Sequence, residues 1–224
     1  MVPRWDAIDD GELILDGCKG QRVIMANFDD IQCALANREP GILPADRRRL
    51  AAVALILRKG TAGLEILFIE RARHAGDPWS GDLGFPGGKV EADDADPRFA
   101  AERETREEIG LDLRCARYLG RLDEIVGATL PVRVTCFVYG VVEEVEPHLN
   151  EEVHDAFWVR LADLVDPGRH VEVPVRFTGK ILRRPAIRLP QPGIPVLWGL
   201  TYRLVTQFLK VLNEPICSGD RHHP

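Results

Sequence analysis

The sequence predicts a domain of the α/β (α+β) class, because strand-like and helix-like segments follow one another along a chain rich in apolar residues. Three observations carry that prediction. Ala51–Leu57 and Leu64–Ile69 are short apolar runs separated by the turn-forming Lys59-Gly60-Thr61-Ala62-Gly63, which is the pattern of a buried β-hairpin. Asp96-Pro97 opens a helical stretch that closes at Gly110, with Asp at the N-cap, Pro at the first helical position and Gly just past the last turn. Val196–Leu212 repeats apolar residues at helical spacing and predicts a final helix packed on the domain.

The remaining elements are fainter. Further strands are expected at Tyr118–Asp123, Val132–Val142 and Ala156–Val159, each bounded by turn residues. Phe28–Ala36 has the pattern of a short amphipathic helix, and Pro40 and Pro44 punctuate the residues after it. This divides the chain into an extension over residues 1–45, a main domain over 46–214 and a short tail over 215–224. No repeat or low-complexity tract interrupts the domain.

Bulk properties narrow the function. A 45% hydrophobic content over 224 residues is enough for a sizeable core. A net charge of −6 argues against non-specific binding to nucleic-acid phosphates and points to a small-molecule partner. The five cysteines, Cys18, Cys33, Cys115, Cys136 and Cys217, are odd in number and lack metal-site spacing, as expected of free thiols in a reducing compartment. Met1–Asp10 has no apolar core of signal-peptide length, and no window approaches the roughly 18 apolar residues of a membrane span, so a cytoplasmic location away from membranes is expected. The oligomeric state is left open, with a homodimer among the expectations.

Chemistry concentrates in Gly88–Leu111. Arg103, Glu104, Glu107 and Glu108 are related by spacings of three and four, so on a helix they project from one side. Three carboxylates on one stripe repel one another by a few tenths of a kcal/mol per pair, and a divalent cation would relieve that repulsion. Clustered oxygen ligands suit Mg²⁺ or Mn²⁺, which bind phosphate-bearing substrates through few carboxylates and retained waters. The helix has Phe99, Ala101, Thr105 and Ile109 to bury on another side, and the glycine pair before it lets the backbone, including the Gly88 carbonyl, approach a metal closely. A charge run of this kind alone is most often a solvated face laced with ion pairs. Here the glycines, the capped helix, the arginine, the glutamates and the closing Gly110-Leu111 occur in order at fixed spacing.

These residues resemble the Nudix box, GX5EX7REUXEEXGU, with Gly88, Arg103, Glu104, Glu107, Glu108, Gly110 and Leu111 matching position by position. Thr105 stands where an aliphatic residue is usual, Asp94 stands where the first Glu is expected, and the gap from Asp94 to Arg103 is one residue longer than the pattern. The lengthened gap after Gly87-Gly88-Lys89 is similar to the coenzyme A branch of the family. So are Arg71-Ala72, Gly81 and Phe85-Pro86-Gly87-Gly88 upstream and Trp198-Gly199-Leu200-Thr201 at the final helix, although Ile69 and Asp77 differ from that branch's signature. Asn150–Val159 is similar to the family segment in which an acid precedes a tryptophan-containing strand, and places Glu152 as that acid with Glu151 as the runner-up.

The resemblance implies a Nudix α/β/α sandwich with a mixed β-sheet, and a metal-dependent hydrolase of a diphosphate bond in a nucleoside-diphosphate-linked small molecule. The expected metal ligands for Mg²⁺ or Mn²⁺ are Gly88, Glu104, Glu107 and Glu108. The expected catalytic residues are Glu107, Glu152 and Arg103, with Arg103 orienting Glu104. Substrate contacts are expected from Arg71, Arg73, Trp79, Phe85 and Lys89, although a strand-end arginine is commonly in a surface ion pair and a tryptophan commonly plugs an apolar surface. His74, His148, His154 and His170 lack mutual ligand spacing. Coenzyme A is the leading substrate expectation; ADP-ribose, another nucleotide sugar, a dinucleoside polyphosphate and capped RNA are its rivals. A catalytically silent nucleotide sensor is the alternative from a different class, and it would need an added basic DNA-binding segment.

Overall fold

The computed structural model describes residues 26–44, 47–74, 79–127, 131–143, 146–177 and 179–213. In chain order these form α1 (Phe28–Ala36), β1 (Arg49–Gly60), β2 (Gly63–Arg71), β3 (Leu83–Gly84), β4 (Gly87–Lys89), α2 (Pro97–Ile109), β5 (Arg117–Arg121), β6 (Ile125–Val126), β7 (Val132–Val141), β8 (Val153–Arg160), α3 (Leu161–Leu164), β9 (His170–Phe177), β10 (Lys180–Ile187), β11 (Leu197–Trp198) and α4 (Gly199–Asn213).

β1 is the axis of the main sheet. It pairs antiparallel with β2 through the expected hairpin, with Leu57 opposite Ile66, and parallel with β7 along its length, from Arg49–Val132 to Arg58–Val141. The sheet runs β3-β2-β1-β7-β5, with β4 also on β1, β6 on β7 and β8 on β2, so it is mixed. β1 reads as a continuous apolar run because both of its faces are covered. Ala52, Ala54 and Ile56 point to one side, where Ala100, Ala101 and Ile109 of α2 meet them. Leu55 and Leu57 point to the other, into a core shared with Ile31 and Leu35 of α1 and with Leu204, Val205 and Phe208 of α4. Helices on both faces of a mixed sheet make an α/β/α sandwich.

Helix α1 thus belongs structurally to the sandwich: its Ile31 and Leu35 are buried in the core. Asn27 caps it in a reciprocal capping box with Asp30, which fixes its start. The stretch after it is tied to the β5–β6 connection, where Asp123 accepts from the Gly41 N–H at 2.7 Å and Glu124 accepts from the Leu43 N–H at 2.9 Å.

A second, three-stranded sheet, β11-β10-β9, has no counterpart in the sequence expectations. Pro174 and Pro185 lie within its two long strands, and proline in a run argues against a strand unless that strand lies at an edge. The final helix starts at Gly199, three residues later than expected, because Leu197-Trp198 pairs with β10 first. Among the described residues no helix is long and apolar enough to cross a membrane. Cys33, Cys115 and Cys136 are free thiols; Cys18 and Cys217 lie outside the described residues.

Candidate active site

The site forms where α2 crosses the β4 end of β1. Asp96 caps the helix by accepting from the Phe99 N–H, Pro97 starts it, and Gly110 ends it in the left-handed region at φ 70°. The buried stripe of α2 comprises Ala101, Thr105, Glu108 and Ile109 with Ala100 beside it. Phe99, expected on that stripe, is instead 48% exposed. It precedes Ala101 by two residues, which at about 100° per residue puts it roughly 160° around the helix from Ala101. Thr105 fills the usual aliphatic position because its hydroxyl donates to the Ala101 carbonyl at 2.6 Å, so no buried donor is left over.

Glu108 lies on the buried side and is only 2% exposed. The stripe of acids is therefore graded in burial, since Glu107 keeps 51% of its side-chain surface. The Gly87 N–H donates to Glu108 at 2.8 Å. Burial pushes the Glu108 carboxyl up to about 8; the charges of Glu104 and Glu152 push the same way, and the Gly87 N–H and Arg71 oppose them. Glu104 is also raised, first by burial and further by Glu107 and Glu152, with Arg103 opposing. Two shifted carboxyls that feel each other and a third acid mark a site short of positive charge.

The glycine pair gives this cluster its floor. Gly87 has φ 144°, and a Cβ there would lie 2.3 Å from the Ala52 carbonyl oxygen. At Gly88 a Cβ would meet the Glu104 carboxyl at 2.4 Å. Both glycines are paired to β1, Gly87 opposite Val53 and Gly88 opposite Ala52, so the floor is held by the sheet.

Arg103 gathers the acids on the outer side. It donates to Glu104 at 2.9 Å, to Glu107 at 3.2 Å and to the Lys89 carbonyl at 3.3 Å. It also makes two hydrogen bonds to Asp94, at 2.9 and 3.0 Å, and these hold the Asp94 carboxyl below the usual range. Asp94 is thus the acid that grips Arg103, a role sequence reasoning did not assign. Its place six residues past Gly88 was the signal that could have found it.

The segment before β8 brings in the downstream acids. Glu151 and Glu152 line a depression of about 360 Å³ together with Arg71, one of the expected substrate contacts, and with His74, which its spacing did not favour. The other expected substrate contacts do not line this depression. Phe85 is buried against Phe68 at a ring distance of 5.2 Å, where the neighbouring sheet claims it for the core. Trp79 is half-buried and packs against the core. Arg73 is exposed, with its side chain passing Gly81, and Lys89 pairs with Glu91 at 3.0 Å. Asp77 lies outside the described residues.

A sequence model of the NUDIX domain matches residues 47–178, more than half of the chain. The chain belongs to the Nudix family. A probable nudix hydrolase of Schizosaccharomyces pombe is 28% identical over 162 residues, covering 72% of this chain and 55% of that protein. This Nudix chain therefore spans about half the length of that relative. An uncharacterized Nudix hydrolase, NudL, of Salmonella paratyphi B is 29% identical over 169 residues, covering 72% of this chain and 81% of that one. The crystal structure of a MutT/nudix family protein from Enterococcus faecalis superposes with a TM-score of 0.50 at 15% identity over 87% of this chain and 73% of that chain, a likeness of fold.

Nudix hydrolases generally use divalent metal ions. The donor set here fits such an ion: hard carboxylate oxygens, two of them held in raised-pKa surroundings, face a glycine that a Cβ would crowd out. As placed, however, no three acids, histidines or cysteines among the described residues converge on one point. Glu104 and Glu107 both pair with Arg103 instead, at 2.9 and 3.2 Å.

Proposed function

We propose that this chain hydrolyses the diphosphate bond of a nucleoside-diphosphate-linked small molecule, with coenzyme A, cleaved to 4'-phosphopantetheine and 3',5'-ADP, as its substrate. The observation that carries the reading is the meeting of α2 with the Gly87-Gly88 floor, which brings the Glu104 and Glu108 carboxyls to one strand end with Glu152 close enough to perturb both. Glu104, Glu107, Glu108 and the Gly88 carbonyl would hold Mg²⁺ or Mn²⁺. The ion, when bound, neutralises charge on the diphosphate and acidifies a water. Arg103, fixed by Asp94, orients Glu104. Glu152 takes the proton of the attacking water, and Arg71, on the wall of the same depression, binds phosphate.

Support for coenzyme A comes from the branch resemblance, whose Trp198 and Thr201 contact the segment between its Gly81 and its Phe85. Trp198 donates to the Asp82 side chain at 2.9 Å and Thr201 donates to the Leu83 carbonyl at 2.9 Å, so the start of α4 holds the segment that leads into Phe85-Pro86-Gly87-Gly88. The test is a panel of coenzyme A, dephospho-coenzyme A, ADP-ribose and a dinucleoside polyphosphate at fixed Mg²⁺, with products identified. A kcat/KM for coenzyme A at least about tenfold above the others, equivalent to about 1.4 kcal/mol of transition-state discrimination, supports the proposal. Preference for another member moves the substrate and keeps the diphosphatase reading. Activity that survives exhaustive chelation removes the metal mechanism.

A further inference from the structure

The chain returns toward the site between Glu146 and Val153, and it docks there on the end of α2. The His148 N–H donates to the Ile109 carbonyl at 2.8 Å and the Asn150 N–H donates to the Glu108 carbonyl at 3.0 Å. Carbonyls in the last turn of a helix have no partner within the helix, so this segment satisfies them. Asn150 then bonds forward as well, because its side-chain Oδ1 accepts from the Glu152 N–H at 2.9 Å. The Glu152 carbonyl accepts from the Ala72 N–H at 2.8 Å, just past a register shift between β2 and β8 at Glu70/Arg71. One residue thus links the backbone of Glu108 to the backbone of Glu152.

We propose that Asn150 is a positioning residue that sets where the Glu152 carboxylate stands relative to Glu104 and Glu108. Glu152 itself is exposed, so its placement depends on the turn that carries it. That turn is closed by an Asn side chain over two residues, a local bond that alanine cannot make and serine makes more weakly. The inference rests on the reading in which Glu152 acts on the attacking water. Arg71, the proposed phosphate contact, is tied to the other side of β2, where its N–H donates to the Asp82 carbonyl at 3.0 Å, a bond that a change at Asn150 leaves in place. The effect therefore falls on kcat and spares KM.

The experiment compares wild type with Asn150→Ala, Asn150→Ser, Glu152→Gln and the double variant Asn150→Ala/Glu152→Gln. Serine keeps an uncharged acceptor and adds no further negative charge. One readout is kcat and KM on whichever panel member the wild type turns over fastest; the other is hydrogen exchange of the Glu152 amide in metal-free protein, which needs no turnover. The expected result is that Asn150→Ala lowers kcat on the order of tenfold or more at unchanged KM and speeds amide exchange by a similar factor. Asn150→Ser recovers much of both, and the double variant is no slower than Glu152→Gln alone. Wild-type exchange in Asn150→Ala, or single losses that multiply in the double variant, overturns the proposal. If Glu152→Gln runs at the wild-type rate, the proposed role of Glu152 has failed instead.

Discussion

Gly87 and Gly88 are adjacent in sequence but fail in different ways when a side chain is added. At Gly87 the backbone is left-handed and a Cβ would strike the Ala52 carbonyl, a backbone atom that cannot move away, so Gly87→Ala should cost roughly 1–3 kcal/mol or more of stability. At Gly88 the obstacle is the end of the Glu104 side chain, so Gly88→Ala should fold with near-normal Tm and lose activity as Glu104 is displaced. Thermal unfolding and turnover of both variants check the contrast; equal loss of Tm in the two would contradict it. Glu108 supplies a pH signature. Its folded pKa, near 8, lies above the ordinary glutamate value of 4.5, so the folded state binds its proton more tightly than the unfolded chain. The stabilisation is full below about pH 4.5 and is lost as pH rises through about 8. In EDTA, wild type should therefore lose more Tm between about pH 5 and about pH 8 than Glu108→Gln, whose side chain cannot ionise. Parallel curves would mean that Glu108 titrates normally.

At the scale of elements, α1 joins the core although it precedes the stretch that reads as the domain. Leu35→Ala should destabilise by about 2–5 kcal/mol, as buried leucines do, while kcat in the folded fraction stays near wild type. A Tm unchanged by that substitution would place Leu35 outside the core. The elements with strong local signals were legible in the sequence: the β1–β2 hairpin from its two apolar runs, and α2 from its Asp-Pro cap and closing glycine. The β9–β10 hairpin was not, because Pro174 and Pro185 mask its alternation. The outward Phe99 and the inward Glu108 were hidden for a related reason, since residue type alone assigns phenylalanine to the core and glutamate to water. Here helical phase sets Phe99 outward, and the Gly87 N–H makes the burial of Glu108 tolerable.

For the whole molecule, the sandwich delivers one helix face, one glycine floor and one returning segment to a single strand end, and the proposed chemistry needs all three. Spacing in the sequence selected Arg103, Glu104, Glu107 and Glu108, whereas the grip of Asp94 on Arg103 and the place of His74 beside the downstream acids depend on contacts across the fold. Whether the α2 carboxylates are the proposed metal-binding centre of a diphosphate hydrolase is decided by turnover of Glu107→Gln and Glu108→Gln at saturating Mg²⁺, with circular dichroism to confirm folding. The contact of Glu107 to Arg103 is an exposed one, and Gln at 108 can still accept from the Gly87 N–H, so both variants should fold. Metal binding by these carboxylates predicts that each variant loses roughly a hundredfold or more in kcat. Folded variants that turn over substrate at near wild-type rates would contradict it.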